Sequence, residues 1–390
     1  MNMVRSRRAD ASHGPSRGVA FIGTVWSGGD SAPSPGTVVV DGAGIVSDIQ
    51  RGPRPTLPHE ILVLGGENHW VVPGVVDAHV HLGVYHSADQ GDIDPVSVSG
   101  RNTGLVGVRD LGAPMRRAGH WQTARRRAAP GLLFVAVSGP ILTAVGGYPS
   151  RSWGAAGYAE FVRSPMQARS VVQHLATEGV DLIKLALEPG SVGWPVPEPA
   201  VVLAIADAAH AAGLPVVAHA LTSEMVARAI DAGIDELVHT PTERLSEALI
   251  ERIAASGMSV TSTLQTFFSG GMGRDAAANA ADLVAAGVRF RYGTDLGNAG
   301  TRPGVDPREL DRIADTGLGR LGALRAATEW AATAPGMRCR TGMLAVGERA
   351  ALVLLPFSPL AEPGVWRTPS AVFADGRLTV EPTALNRRPA

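Results

Sequence analysis

VDLIKLAL (residues 180–187), PAVVLAIADAAHAAG (199–213) and LPVVAHA (214–220) follow one another along the chain as apolar run, Ala-rich amphipathic stretch and apolar run. A short continuous apolar run predicts a strand buried on both faces, and the stretch between two such runs is long enough for a crossover helix. The rhythm continues through SEMVARAIDAG (223–233), IDELVHTP (234–241), LSEALIERIAASG (245–257), MSVTSTLQ (258–265), DAAANAADLVAAG (275–287) and VRFRYGTD (288–295). Such alternation predicts parallel βα units. Gly213, Gly233, Gly257 and Gly287 stand where helix C-terminal caps belong. Upstream, WVVPGVVDAHVHL (70–82), GLVGVRDLG (104–112) and GLLFVAVSGP (131–140) bring the strand-like runs to about eight, the count of a (β/α)8 TIM barrel in the α/β class.

The two ends read differently. From Val19 to Val72 the text is strand-like, with TVVVDGAGIVSDI (37–49) giving two β-rich runs around an Asp-Gly turn. Strand-rich text returns in GMLAVGERAALVLLPF (342–357) and SAVFADGRLTV (370–380). The expected organisation is a disordered tail over 1–18, a barrel over 73–339, and a small composite β-sandwich built from 19–72 and 340–383. Two unrelated appendages are the alternative. The first eighteen residues carry charge without the apolar region of a signal peptide.

Composition narrows the partners. A formal net charge of -1 offers no basic excess for nucleic acid. No run reaches ~18 consecutive apolar residues, so no membrane span is expected. Cys339 is the only cysteine, which rules out an internal disulfide and suits a reducing compartment. The expectation is a cytoplasmic enzyme with a small-molecule substrate, its self-association into a homo-oligomer left open.

A barrel enzyme carries its functional groups at the C-terminal strand ends. In DAHVHLG, His79 and His81 share one strand face. Lys184, His219, His239 and Asp295 are expected at the ends of strands 4, 5, 6 and 8. Singly, each has a plain reading: a polar strand pair, a core histidine, a turn cap, a helix N-cap. With only 11 histidines in the chain, their joint placement points to metal. One ion is expected on His79, His81 and Asp295, another on His219 and His239, with Lys184 between. Asp77, one layer deeper, is expected to support the site by hydrogen bonding. Imidazole-rich, thiolate-free ligation suits Zn best, with Mn, Co or Fe also matching.

Lys184 is the only lysine among 35 Lys and Arg residues. A buried amine beside cations loses its proton and can add carbon dioxide, and the resulting carbamate can bridge two metal ions. Arginine, charged to pKa ~12 and beyond, cannot do this. An ion pair with a substrate carboxylate is the alternative for Lys184. The negative charges of carbamate, Asp295 and a bridging hydroxide fall short of two divalent cations, leaving the site net positive for a developing oxyanion. The expected chemistry is attack by metal-bound hydroxide, with Asp295 as proton shuttle to a leaving nitrogen.

The runs VVPGVVDAHVHLG, GLVGVRDLG, DLIKLAL, PVVAHA, IDELVHTP and YGTDLG, in this order, resemble the amidohydrolase superfamily over about residues 19–382. The lysine of strand 4 with AHA and the following histidine is similar to the imidazolonepropionase-like and Xaa-Pro dipeptidase branch. That resemblance implies hydrolysis of a C–N amide bond in a cyclic amide, an N-acyl amino acid or a dipeptide-like compound, with two metals and a carboxylated lysine. Tyr148 stands where such dipeptidases often carry histidine, and Ala351 where relatives usually place Asp. Arg289 and Arg291 share the parity of Asp295, and their expected role is a buried ion pair with a neighbouring strand rather than substrate binding. Tyr85, His86, Tyr148 and Trp153 are candidate substrate contacts. Trp194, Phe267 and Phe268 also lie in or near candidate βα loops.

Other uses of the same site remain open from sequence: a cyclase, dehydratase or decarboxylase, a deaminase, or a metal-binding barrel without catalysis. Asp295, a base that a purely structural site would not need, argues against the last.

Overall fold

The computed structural model describes residues 18–52, 55–57, 61–82, 104–119, 134–155, 157–298, 300–337, 342–374 and 376–380. Its strands are β1 (Val19–Val25), β2 (Ser34–Val40), β3 (Val46–Arg51), β4 (Leu62–Pro73), β5 (Val75–Val80), β6 (Leu105–Asp110), β7 (Phe134–Val137), β8 (Ile141–Thr143), β9 (Ala159–Phe161), β10 (Ile183–Leu187), β11 (Val216–Ala220), β12 (Glu236–Leu237), β13 (Ser259–Thr261), β14 (Phe290–Arg291), β15 (Ala351–Leu355), β16 (Ala371–Ala374) and β17 (Arg377–Val380). Between them run α1 (Pro165–Thr177), α2 (Pro199–Ala211), α3 (Ser223–Asp231), α4 (Glu247–Ser256), α5 (Leu264–Ser269), α6 (Gly273–Ala285) and α7 (Pro307–Ile313).

Apolar periodicity and caps make these elements. β10 and β11 are buried at every position, as their unbroken apolar runs require. Ser164, Thr222 and Ser246 accept hydrogen bonds from the first turns of α1, α3 and α4, satisfying backbone donors that have no partner inside the helix. The four glycines expected after helices lie at φ between 72° and 80°, the left-handed region that ends a helix at little steric cost.

The ends of the chain meet in one mixed seven-stranded sheet, ordered β17-β16-β15-β4-β1-β2-β3. Phe21 of β1 packs edge-on against Phe373 of β16, with ring centroids 6.2 Å apart, in a core of its own with Val38, Val40, Leu352 and Leu354. The chain passes from this sheet into the parallel strands at Gly74, where a Cβ would fall 2.3 Å from Val106.

Parallel strands fall in two sheets, β14-β13-β12-β11-β10-β8-β9 and β5-β6-β7. Backbone hydrogen bonds join them on one side: Ala78 N–H donates to Tyr292 O (3.1 Å), Asp295 N–H to His79 O (2.8 Å) and His81 N–H to Leu296 O (2.7 Å). On the other side Asp181 N–H donates to Val137 O (2.9 Å). The helices pack on a large apolar core around these strands.

Three differences from the sequence expectation bear on the site. Regular pairing in IDELVHTP and VRFRYGTD is confined to two residues each, so His239 and Asp295 project from turns beyond β12 and β14. MSVTSTLQ is strand only to Thr261; Thr263 adopts φ 48 and Leu264 starts α5, whose free N–H groups at Leu264 and Gln265 donate to the Glu309 carboxylate. Lys184 is the second residue of β10 rather than its end, and the strand is followed by Glu188. Among the described residues no helix is long and apolar enough to cross a membrane.

Candidate metal centre

His79, His81, Lys184, His219, His239 and Asp295 are all buried, none more than 8% exposed. His79 Nε2, His81 Nε2 and Asp295 Oδ1 form a triangle with every side 3.3 Å. The His239 ring lies 4.6 Å from that of His79 and 4.5 Å from that of His219. Lys184 reaches the same cavity from its deeper strand position on a four-carbon stem.

Hydrogen-bond partners decide which nitrogen faces inward for His79 and His219. His79 Nδ1 lies 2.7 Å from Val238 O, an acceptor only, so Nδ1 carries the proton and Nε2 keeps its lone pair for the triangle. His219 Nε2 lies 3.0 Å from Glu188 Oε2, so Nε2 donates and Nδ1 is left basic. His239 Nδ1 meets Thr263 Oγ1 at 2.8 Å. Burial lowers the pKa of His79, His219 and His239, favouring the neutral form that binds metal. Asp295 Oδ1 is buried without a hydrogen-bond donor while facing two ring nitrogens. Two imidazole nitrogens and one carboxylate oxygen around a common point fit a divalent cation.

Long-range contacts hold this geometry. Asp77 accepts from His79 N–H (3.1 Å), Thr294 N–H (3.0 Å) and Thr294 Oγ1 (2.5 Å), tying the strand of the histidine pair to the turn that presents Asp295. Its supporting role matches the sequence expectation. Burial pushes the Asp77 carboxyl up to about 7. Asp295 itself sits at φ 56, a left-handed conformation uncommon for non-glycine residues and best tolerated by Asp and Asn. Gly293 lets the turn close on the strand, since a Cβ there would lie 2.4 Å from Thr261 and 2.9 Å from His79.

Beneath the histidines lies a buried charge layer. Glu236 bridges Arg109 and Arg291, the latter at 2.8 Å, and accepts from Thr261 Oγ1 (2.8 Å) and Ser259 Oγ (3.1 Å). Arg109 also donates to Ala78 O (2.7 Å) and Pro335 O (2.8 Å). Arg291 forms the expected buried ion pair, but with Glu236 of β12 across the intervening β13 rather than with the neighbouring strand; Arg289 is instead exposed, because the two-residue β14 does not extend its buried face that far.

The amidohydrolase family profile matches residues 70–379. The chain belongs to the amidohydrolase family. An uncharacterized Mycobacterium tuberculosis (strain H37Rv) protein is 26% identical over 345 residues, covering 79% of this chain and 85% of that protein. A Xaa-Pro dipeptidase crystal structure superposes with TM-score 0.79 at 22% identity, covering 93% of this chain and all (100%) of the other. Molinate hydrolase superposes with TM-score 0.77 at 19% identity, covering 96% and 97%. Family membership places the chain among hydrolases, and the structural likeness shows a shared fold.

Above the histidines this amidohydrolase has a cavity of about 920 Å³, room for a drug-sized molecule. Tyr148 stacks on Trp194 at 5.2 Å, and Trp153 lies 4.9 Å from the His81 ring while its indole N–H donates to Tyr148 Oη at 3.1 Å. Phe267 closes the wall beside His239. Phe268 does not line the cavity; it lies under the Arg312 guanidinium. Tyr85, His86 and Cys339 lie outside the described residues.

Glu188 is a candidate site residue that the sequence reading missed. It is buried, receives His219 Nε2–H on one oxygen and Gly190 N–H (2.6 Å) on the other, and lines the cavity. Burial works to raise its pKa, but the hydrogen bonds from His219 and Gly190 hold it below the ordinary glutamate value. Its signal was available: residues 184, 186 and 188 share a strand face by parity.

Proposed function

We propose that the protein is a binuclear metal-dependent hydrolase of a C–N amide bond in a small molecule: a cyclic amide, an N-acyl amino acid or a dipeptide-like compound. The observation that carries this reading is the 3.3 Å triangle of His79, His81 and Asp295 at the floor of an aromatic cavity, with His219 and His239 beside it. His79, His81 and Asp295 would hold one ion and His219 and His239 the other, zinc being the best match to these donors. The two parallel sheets are taken as arcs of one (β/α)8 barrel over 73–339. The mixed sheet is taken as part of a β-sandwich composed of 19–72 and 340–383.

Lys184 would join the two ions. Burial pushes its ammonium down to about 7 despite the attraction of Asp295, so neutral amine is available near neutrality. Its Nζ adds to carbon dioxide, forming an N–C bond and releasing one proton, and the carbamate that results carries one negative charge and two oxygens. When bound, the metals would supply Lewis acidity and lower the pKa of coordinated water to about 7. Asp295 would take the proton of the attacking water and deliver it to the leaving nitrogen as the C–N bond breaks. The Tyr148 hydroxyl accepts from Trp153, and burial raises its pKa, so the phenol keeps its proton to donate to the substrate carbonyl oxygen.

Elemental analysis of protein loaded with metal in bicarbonate, together with turnover of N-acyl amino acids, Xaa-Pro dipeptides and cyclic amides, tests the proposal. About two ions per chain with hydrolysis of one of these classes is expected. No bound metal and no turnover would overturn it. Asp295→Asn should lower kcat roughly 10²–10⁴-fold, the usual range for a lost acid–base group. Circular dichroism would show whether the variant keeps its fold; a folded, fully active variant would remove Asp295 from the mechanism. Glu188→Ala should weaken metal binding about 10–100-fold by freeing the His219 ring. A chelator titration reads this directly, and unchanged affinity would reduce Glu188 to a lining residue.

A further inference from the structure

We infer that the cavity selects an apolar amide carrying no free carboxylate, which rests on the amide-hydrolase reading and narrows its substrate class. The walls are aromatic: Tyr148 and Trp194 form a stacked plate with an interplanar angle of 29°, with Trp153 and Phe267 on neighbouring sides. At the mouth, the exposed side chains of Val192 (70%) and Met272 (52%) extend the apolar wall outward. The charges set among these surfaces are acidic. Glu188 lies near the floor, held by His219 and Gly190, and Glu243 lies at the rim, where its Oε2 accepts from Ser223 N–H at 2.9 Å.

No arginine lines the cavity among the described residues, although Lys and Arg number 35 in the chain. A substrate carboxylate leaving water needs a fixed cation or a set of N–H donors. Lys184 is the only Lys or Arg among those lining residues, and the proposed carbamate removes even that positive charge. A carboxylate placed on the aromatic plate would face Glu188 and Glu243 with no Arg among the described lining residues to pair with it, and the charge of the proposed metals is engaged at the floor with their ligands and the scissile carbonyl. An uncharged aryl or alkyl group there meets only ring faces and methyl groups.

The test uses N-benzoylpyrrolidine and N-benzoyl-L-proline, which differ only in one carboxylate. Calorimetric titration of the full-length, metal-loaded protein is expected to show the uncharged member binding at least about tenfold more tightly, a gap of ~1.4 kcal/mol. Glu243→Arg, a rim change away from the proposed metal ligands, should narrow the gap by tightening the carboxylate member several-fold. Equal or tighter binding of N-benzoyl-L-proline by the wild type, or no binding of either compound, overturns the inference. A wild-type preference that Glu243→Arg leaves unaltered overturns the part assigned to Glu243. The expected preference without cleavage of either compound would support the cavity's selectivity and count against the hydrolytic reading alone.

Discussion

Lys184→Arg should bring metal content down from about two ions per chain to about one or fewer, and lower kcat/KM by roughly 10³-fold or more. The reason is chemical rather than steric. Arginine stays protonated, cannot add carbon dioxide, and would place a permanent cation where the proposed reading needs an anion between two metals. Lys184→Ala is the companion variant: it removes the bridge without adding charge, so short carboxylic acids supplied in solution should restore part of the lost turnover. Metal analysis and initial rates on both variants, with circular dichroism as the fold control, give the answer. A Lys184→Arg protein that holds two ions and turns over like the wild type would eliminate the carbamate.

Glu236→Gln should destabilise the fold by about 3–5 kcal/mol, because it strips the shared counter-charge from two buried guanidinium groups. Glu236 is completely buried, and although burial acts to raise its pKa, Arg109 and Arg291 hold the carboxyl below its ordinary value. A depressed folded pKa gives stability that is fully present above the unfolded value of ~4.3 and fades as pH falls through the folded value. The loss in Glu236→Gln should therefore be full at neutral pH and shrink in acid. Urea unfolding of both proteins over that range measures it. Replacing the triad together, as Arg109→Met, Glu236→Leu and Arg291→Met, should recover much of the loss, since no unpaired charge remains. A Glu236→Gln protein as stable as the wild type at neutral pH would show that water or backbone carbonyls already neutralise the arginines.

The metal-centre candidates were legible because they obey local rules. His79 and His81 are two apart on a strand, so one face had to carry both. Lys184 stood out as the chain's single lysine, and His219 and His239 follow consecutive apolar runs. Glu188 could have been found by the same parity from Lys184. Thr263 could not, because its side chain meets His239 only after a left-handed turn that no residue pattern announces.

By itself the sequence determined the alternation of strand and helix, the change from strand-rich text to βα alternation after Pro73, and the set of candidate metal-binding side chains. These follow from hydrophobic period, cap residues and turn glycines, all of which act over a few residues. Tertiary structure alone decided which nitrogen the His79 and His219 rings turn inward, that Asp77 ties His79 to Thr294, and that Arg109, Glu236 and Arg291 form one buried layer. Residues 77 and 294 are 217 positions apart. Contacts over that distance depend on how the parallel strands register across the fold, and register is settled when the whole core packs.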